Sequence, residues 1–65
     1  MFYYVVQNGY GLYYAYTVNK HKRVFSVTVQ DAHHYFSRHH AQRMCDILDG
    51  LMYKVNSLTL EKTLV

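Results

Sequence analysis

The stretch that decides the fold is SRHHAQRMCDILDG, residues 37–50, because its start, its apolar face and its end agree with one another. Ser37 is a favoured N-cap residue, and Phe36 before it is placed to pack against Ala41 as a hydrophobic staple. Gly50 is placed to end the helix as a residue in the left-handed conformation. The sequence therefore predicts one helix with a defined start and a defined end.

Within this helix the apolar residues recur at i, i+3, i+4 and i+7, the spacing of one helical face: Ala41, Met44, Cys45 and Leu48. The polar residues fall on the other side: Arg38, His39, Gln42, Arg43, Asp46 and Asp49. One face is therefore predicted to pack on the rest of the chain. Because Cys45 lies on that face, it is interpreted as a buried free thiol.

The segments around the helix are rich in aromatic and β-branched residues, which favour strands. Four strands are predicted: residues 2–7, 10–18, 24–30 and 54–65. Asn8-Gly9 joins the first two as a tight hairpin, and a bulge or break is expected near Asn56-Ser57, where the alternation slips. The alternation of the third strand predicts that its Phe25 face meets the helix.

Strict alternation gives the second strand two faces that both carry tyrosine. One face holds Tyr10, Leu12, Tyr14, Tyr16 and Val18, and the other holds Tyr13, Ala15 and Thr17. After the third strand, Asp31 is predicted to cap a short turn through Tyr35 that directs Ala32 and Phe36 into the core.

The predicted order of elements is β-β-β-α-β in one domain of residues 1–65. This is an α+β fold, in which the helix packs on one face of a small, mainly antiparallel sheet and the other face stays uncovered. A chain this short buries only about 60% of the surface of its unfolded form, so association as a homodimer is one way to gain stability.

The composition narrows the class of protein. One cysteine excludes an internal disulfide, and no set of four ligands for a structural zinc ion is present. The N-terminus has no basic region followed by a signal cleavage pattern, and no apolar run reaches the roughly 20 residues that span a bilayer. A small cytoplasmic protein with no membrane partner is predicted.

The formal net charge is +3, and positive charge is concentrated in the middle of the chain. Residues 20–43 hold all five histidines together with Lys20, Lys22, Arg23, Arg38 and Arg43. Asp31 is the single acid in that range. Below about pH 6 protonated histidines add to this charge, so any electrostatic binding is expected to strengthen there.

Two features are candidates for partner binding. Six of the eight tyrosines lie in the first predicted hairpin, either as ordinary strand formers or as an aromatic surface that contacts protein or stacks on bases. Arg38 and His39 in the first helical turn oppose the helix dipole, which an anionic partner such as a phosphate or an acidic protein surface would offset. The alternative is an ordinary solvated basic face.

No catalytic or metal site is predicted. The pairs His33-His34 and His39-His40 are adjacent residues that point in different directions, and no two histidines have i, i+4 spacing. The sequence contains no nucleophile with an obvious base, no acidic pair and no glycine-rich phosphate loop. A non-enzymatic protein without a cofactor or metal is therefore expected.

Residues 29–37, VQDAHHYFS, with Ala41 and Leu48 after them and YYVVQN at residues 3–8, resemble small proteins encoded by phages and prophages of Gram-positive bacteria. In those proteins a short hairpin leads to an Asp-Ala turn, a Phe-Ser cap and one helix. They usually carry acidic residues after the capping serine, where this chain has Arg38, His39 and His40. The resemblance implies binding to a host protein, and inhibitors of CRISPR effectors are one class of such proteins.

Two hypotheses follow. In the first, the chain is a non-enzymatic phage-type protein that binds a host protein, such as a CRISPR nuclease or another defence factor. Its candidate partner-binding residues are Tyr13, Tyr14, Tyr16, Lys20, Lys22, Arg23, Arg38, His39 and Arg43. In the second, the chain is a small basic DNA- or RNA-binding domain whose lysines and arginines contact phosphates, so that affinity falls steeply with salt.

Overall fold

The computed structural model describes all 65 residues, which form a five-stranded antiparallel sheet and one helix. The elements in chain order are β1 (Phe2–Gln7), β2 (Tyr13–Asn19), β3 (Lys22–Ser26), α1 (Arg38–Leu48), β4 (Leu51–Asn56) and β5 (Lys62–Leu64). The strand order across the sheet is β3-β2-β1-β4-β5. The predicted α+β fold is confirmed, with one strand more than predicted.

The additional strand arises at the break that the sequence indicated. The predicted strand 54–65 falls across two strands, β4, which begins earlier at Leu51, and β5. The turn between them is closed by the main chain and the side chain of Asn56. The Asn56 carbonyl accepts the Leu60 N–H at 2.7 Å, and its Oδ1 accepts the Leu58 and Thr59 N–H groups at 2.9 and 3.2 Å.

The helix begins where its sequence predicts. Ser37 has extended backbone angles, φ −104° and ψ 122°, and its side chain accepts the His40 N–H at 3.5 Å. Ala41 is fully buried, and the rest of the apolar face packs around Val6 and Met52: Met44, Cys45 and Leu48. The predicted staple is wrong, because Phe36 is 74% exposed. The extended chain before the helix alternates sides, so Tyr35 packs inward and Phe36 points outward.

The helix ends where predicted, but the residue in the left-handed conformation is not the predicted Gly50. Asp49, with φ 51° and ψ 47°, is the left-handed residue, and its N–H is directed at the carbonyls of Asp46 and Cys45. Gly50 does not have a positive φ. It is glycine for another reason: a Cβ at this position would lie 2.0 Å from the Gln7 carbonyl oxygen. Gly50 therefore lets the end of the helix pass against β1.

Replacing Asp49 with asparagine is expected to raise the free energy of unfolding by about 0.5 to 1 kcal/mol. Asparagine adopts the left-handed conformation readily, and the change removes a negative charge from the negative end of the helix dipole. Urea denaturation at pH 7 measures the difference, which should shrink in 1 M salt because the charge contribution is screened. A lower midpoint for Asp49→Asn would contradict this interpretation of the helix end.

The first hairpin is more open than the Asn8-Gly9 signal predicts. Its loop runs to Leu12, and Asn8 Oδ1 accepts the N–H groups of Tyr10 and Leu12 at 2.9 and 3.0 Å. Gly11 takes the left-handed conformation, with φ 81°. Strand β2 therefore begins at Tyr13 rather than Tyr10, and it pairs with β1 only at Gln7.

Beyond that pair, residues 33–35 lie between β1 and β2. Tyr4 and Tyr35 exchange two backbone hydrogen bonds of 2.7 and 2.9 Å, and the His33 N–H donates to the Tyr14 carbonyl at 2.9 Å. Side chains alternate along this inserted segment as they do along a strand. His34 stacks on Tyr3 with ring centroids 3.8 Å apart, whereas Tyr35 packs with the helix-side core. The segment completes the sheet where the hairpin opens.

The third predicted strand ends early. The chain leaves the sheet after Ser26, whose Oγ accepts the Thr28 N–H at 3.1 Å, and Val27 is 77% exposed. The predicted Asp31 cap is not formed: the Asp31 carboxylate instead accepts the Thr28 hydroxyl at 3.1 Å. The Phe25 face does not meet α1, since the helix contacts β1 and β4 alone.

Both faces of the sheet carry a core, so the prediction of an uncovered face is also wrong. On the helix side, α1 covers Val6 and Met52. On the other side, Ala32 and Val29, from the chain between β3 and the helix, pack against a second cluster: Tyr3, Val5, Tyr13 and Val55. Ala32 lies in the core as predicted. Strand β1 is the central strand of the sheet and contributes residues to the cores on both faces.

Candidate functional site

Strands β2 and β3 form a ribbon that a bulge twists. Tyr14 pairs with Phe25, but Tyr16 pairs with Val24, so one extra residue lies on β2 between these pairs. Because a bulge reverses the side on which later residues lie, Tyr16 faces away from Tyr14, contrary to the prediction. Thr17 joins the Tyr14 face instead, and its Oγ1 is 2.7 Å from the Tyr14 hydroxyl.

The outer part of this ribbon, residues 16–23, is exposed throughout and is called the basic arm here. Its tip is ordered by Asn19, whose Oδ1 accepts the His21 N–H at 2.9 Å. It carries three of the predicted cations: Lys20, Lys22 and Arg23. Tyr16 and Val18 are each 57% exposed. Strand β3 pairs only with β2, and the molecule measures 33 × 21 × 19 Å, so the arm is an edge feature.

Two of the predicted contact residues, Tyr13 and Tyr14, lie in the core with exposures of 5% and 7%. The Lys62 ammonium group donates to the Tyr13 hydroxyl and lies over the Tyr13 and Tyr53 rings, 5.0 and 4.8 Å from their centroids. Tyr14 packs on Tyr35, with centroids 6.4 Å apart. These tyrosines hold the sheet together and are not available to a partner, so the tyrosines do not form one exposed aromatic face.

The three predicted helix residues, Arg38, His39 and Arg43, are exposed. The helix has no acidic residue in its first turn and no basic residue in its last turn, the reverse of what its dipole favours. Helical spacing places two of the basic side chains, His40 and Arg43, on one flank of α1, called the basic flank, and Arg38 on the opposite flank with Asp49. His39 and Asp46 are seven residues apart and lie together on the solvent-facing side between the two flanks. The basic arm and this basic flank are the two charged surfaces of the predicted site.

A groove that the sequence did not indicate lies beside the basic flank. This helix groove has a volume of about 300 Å³ and is lined by Tyr35, His40, Arg43, Met44 and Ile47. The helical members follow i, i+3, i+4 and i+7 spacing, the only local signal in the sequence. Burial and the neighbouring Tyr14 raise the pKa of Tyr35 to about 12, so its hydroxyl is neutral at physiological pH.

Raising the pH through the range from 10 to 12 is expected to destabilise the protein through Tyr35. Its pKa is higher in the folded state than the ordinary value of 10.0, so the unfolded chain loses the proton first and stability falls as pH rises. Thermal unfolding from pH 9 to 12 measures this loss. Tyr35→Phe should show a shallower decline than the natural chain, and parallel curves would contradict the prediction.

The remaining reactive side chains are the histidines, the carboxylates and Cys45. No three His, Cys, Asp or Glu side chains are placed to hold a metal ion. Burial, followed by the charge of Asp46, raises the pKa of the Cys45 thiol, which donates to the Gly50 carbonyl at 3.0 Å. A protonated thiol is a poor nucleophile. Cys45 is half-buried on the apolar helix face, close to its predicted role as a core residue.

No protein-family model, no curated protein and no solved structure matches this chain. The structure contains no helix with the length and apolar character needed to cross a membrane. Its distinctive exposed surfaces are the basic arm, the basic flank of α1 and the helix groove.

Proposed function

We propose that this chain is a non-enzymatic binding module that docks on a partner protein through the basic arm. The observation that carries the proposal is the exposure of Tyr16 and Val18, each 57%, on a ribbon next to the arm's cations. Tyrosine and arginine are enriched among the residues that dominate binding energy at protein interfaces. An element with this composition at the edge of the sheet is suited to insertion into a partner's surface.

The aromatic and apolar residues of the basic arm contribute little to the stability of the folded chain. Its outer residues are exposed and take no part in either core, and an isolated two-stranded ribbon is marginally stable in water. Burial of Tyr16 and Val18 against a partner would remove their apolar surface from water. Lys20, Lys22 and Arg23 would then form a polar rim.

The charge favours an acidic partner surface. The net charge of +3 is concentrated on the arm and on the exposed helix residues Arg38, His39 and Arg43. Complementary charges speed association and exclude wrong partners. Through its resemblance to small phage proteins, the proposal extends to a bacterial host protein in the cytoplasm, such as a CRISPR nuclease or another defence factor.

Affinity capture from a bacterial lysate tests the proposal. The natural chain, Tyr16→Ala and the matched control Thr63→Ala are immobilised, and the retained proteins are compared quantitatively; Thr63 is an exposed residue at the far edge of the sheet. We expect one protein to be retained equally by the natural chain and Thr63→Ala, and about tenfold less by Tyr16→Ala. Equal retention by all three would show that the arm is not the contact.

A nucleic acid is the second candidate partner, because Lys20, Lys22 and Arg23 cluster near the tip of the ribbon. A two-stranded β-ribbon fits the major groove of DNA. Fluorescence anisotropy against labelled single- and double-stranded DNA and RNA across salt concentrations tests it. With three phosphate contacts, log affinity for duplex DNA should fall against log salt with a slope of about −2.7. Absence of binding at low salt would leave the protein partner.

A further inference from the structure

We infer that the helix groove is a second contact surface and that it accepts an acidic amphipathic segment of the partner protein. This inference rests on the proposed function, because it names the chemistry of a segment that the same partner would supply. The groove lies between α1 and Tyr35, and it has a volume of about 300 Å³. Three of its five lining residues are hydrophobic.

The apolar part of the groove is left open by the fold. Met44 belongs to the helix-side core and also lines the groove, so the groove continues from that core to the surface. Ile47, one helical turn further along the same flank, is 57% exposed. These side chains provide an apolar contact surface that no other part of this chain covers.

The groove lining carries positive charge at Arg43. His40 and Arg43 line it, and no carboxylate does. Asp46, three residues after Arg43, does not line the groove, and its carboxylate accepts the Gln42 side-chain N–H at 2.9 Å. The Tyr35 hydroxyl contributes no negative charge at neutral pH. An occupant that combines apolar side chains with carboxylates complements this lining.

A second copy of the chain fits this lining less well. Each copy carries a net charge of +3, and a twofold contact through the groove would bring the two basic flanks together. A nucleic acid also fits less well. Its bases need an exposed ring face for stacking, whereas Tyr35 is held against Tyr14 and the helix-side core.

Two synthetic peptides of roughly 16 residues, about 24 Å long as helices, serve as probes. They share the same leucines at i, i+3 and i+4 positions, but one carries glutamates and the other carries lysines. Each is titrated into the ¹⁵N-labelled full chain at low salt, and backbone amide shifts are recorded. We expect the glutamate peptide to shift amides of Tyr35 and of α1 from His40 to Ile47, and the lysine peptide to shift none of them.

Three variants locate the contact. Arg43→Glu and Ile47→Gln are each expected to raise the Kd of the glutamate peptide about tenfold. Arg38→Gln is the matched control, since Arg38 is an exposed cation on the same helix but away from the groove, and it should bind with unchanged affinity. Retained binding by both Arg43→Glu and Ile47→Gln would overturn the inference.

Other results would also overturn it. Equal shifts with both peptides would show that charge does not select the occupant. A thymidine oligonucleotide that shifts the same amides would assign the groove to nucleic acid. A mass near twice 7.8 kDa in light scattering that Arg43→Glu returns to the monomer would assign the groove to a second copy.

The experiments distinguish failure of the groove inference from failure of the arm proposal. The peptide titration uses no residue of the basic arm, so Tyr16→Ala should bind the glutamate peptide with natural affinity. If Tyr16→Ala retains the captured protein while Ile47→Gln loses it, the arm proposal is wrong and the groove inference stands. If Tyr16→Ala loses the captured protein and the peptide shifts no amide at the groove, the arm alone is the contact.

Discussion

Replacing Gly50 with alanine is expected to abolish folding. The new methyl carbon would lie 2.0 Å from the Gln7 carbonyl oxygen and 3.1 Å from its carbonyl carbon, both of which are backbone atoms. Gln7 cannot move aside easily, because it pairs with Leu51 on one side and with Tyr13 on the other. A chain of this length has a stability of about 3 to 10 kcal/mol, and an overlap of this size against backbone is expected to cost more than about 4 kcal/mol.

Circular dichroism and the dispersion of amide resonances report the outcome. Gly9→Ala is the matched control: a Cβ at Gly9 would have no atom within 4 Å, so it should change stability by less than about 0.5 kcal/mol. The pair also separates two roles for Gly50. If Gly50 were needed only for a left-handed conformation at the helix end, its replacement by alanine would lower the free energy of unfolding by about 1 kcal/mol. A loss of only that size in Gly50→Ala would contradict the close approach to β1.

Tyr14→Ala is expected to lower the free energy of unfolding by about 3 to 5 kcal/mol, the range for removal of a buried aromatic ring. Tyr14 is 7% exposed, packs on Tyr35 and Phe25, and carries the carbonyl that receives the His33 N–H. Its ring links the basic arm to the inserted segment. Urea denaturation measures the loss if the variant folds, and circular dichroism shows it if the variant does not.

Tyr16→Ala is the control for this prediction. It is the same substitution on the same strand, but the side chain is 57% exposed, so the expected change is within about 0.5 kcal/mol. Tyr14→Phe should show an intermediate loss of about 1 kcal/mol, because it removes only the hydrogen bond to Thr17. Equal losses in Tyr14→Ala and Tyr16→Ala would contradict the bulge that puts the two rings on opposite faces.

The features that the sequence predicts well are those that neighbouring residues determine. The helix from Arg38 to Leu48 follows from the Ser37 cap and the apolar spacing, and both are local. The break after Asn56 is also local, since the Asn56 side chain binds the next residues of the turn. These elements could be predicted because their hydrogen bonds close within a few residues.

The errors concern contacts between distant parts of the chain. The insertion of residues 33–35 beside Tyr4 joins segments that share no local signal, and it lies where the first hairpin opens. The bulge on β2 has a similar effect on the site, because one extra residue reverses the side on which Tyr16 lies. The lysines and arginines that the sequence proposes for partner binding are exposed, as charged side chains usually are: Lys20, Lys22, Arg23, Arg38 and Arg43. The helix groove depends on Tyr35 reaching the helix side, so it could not be predicted from spacing alone.

The insertion beside β1 also determines when that strand can be completed during synthesis. Apart from the pair at Gln7, every backbone partner of β1 within the sheet comes from residue 35 or from β4, much later in the chain. A growing polypeptide would therefore present Tyr3, Val5 and Val6 as an unpaired apolar strand until β4 had left the ribosome. Among these five strands, the first in chain order is one of the last to gain its partners, and aggregation of incomplete chains is the hazard that this order creates.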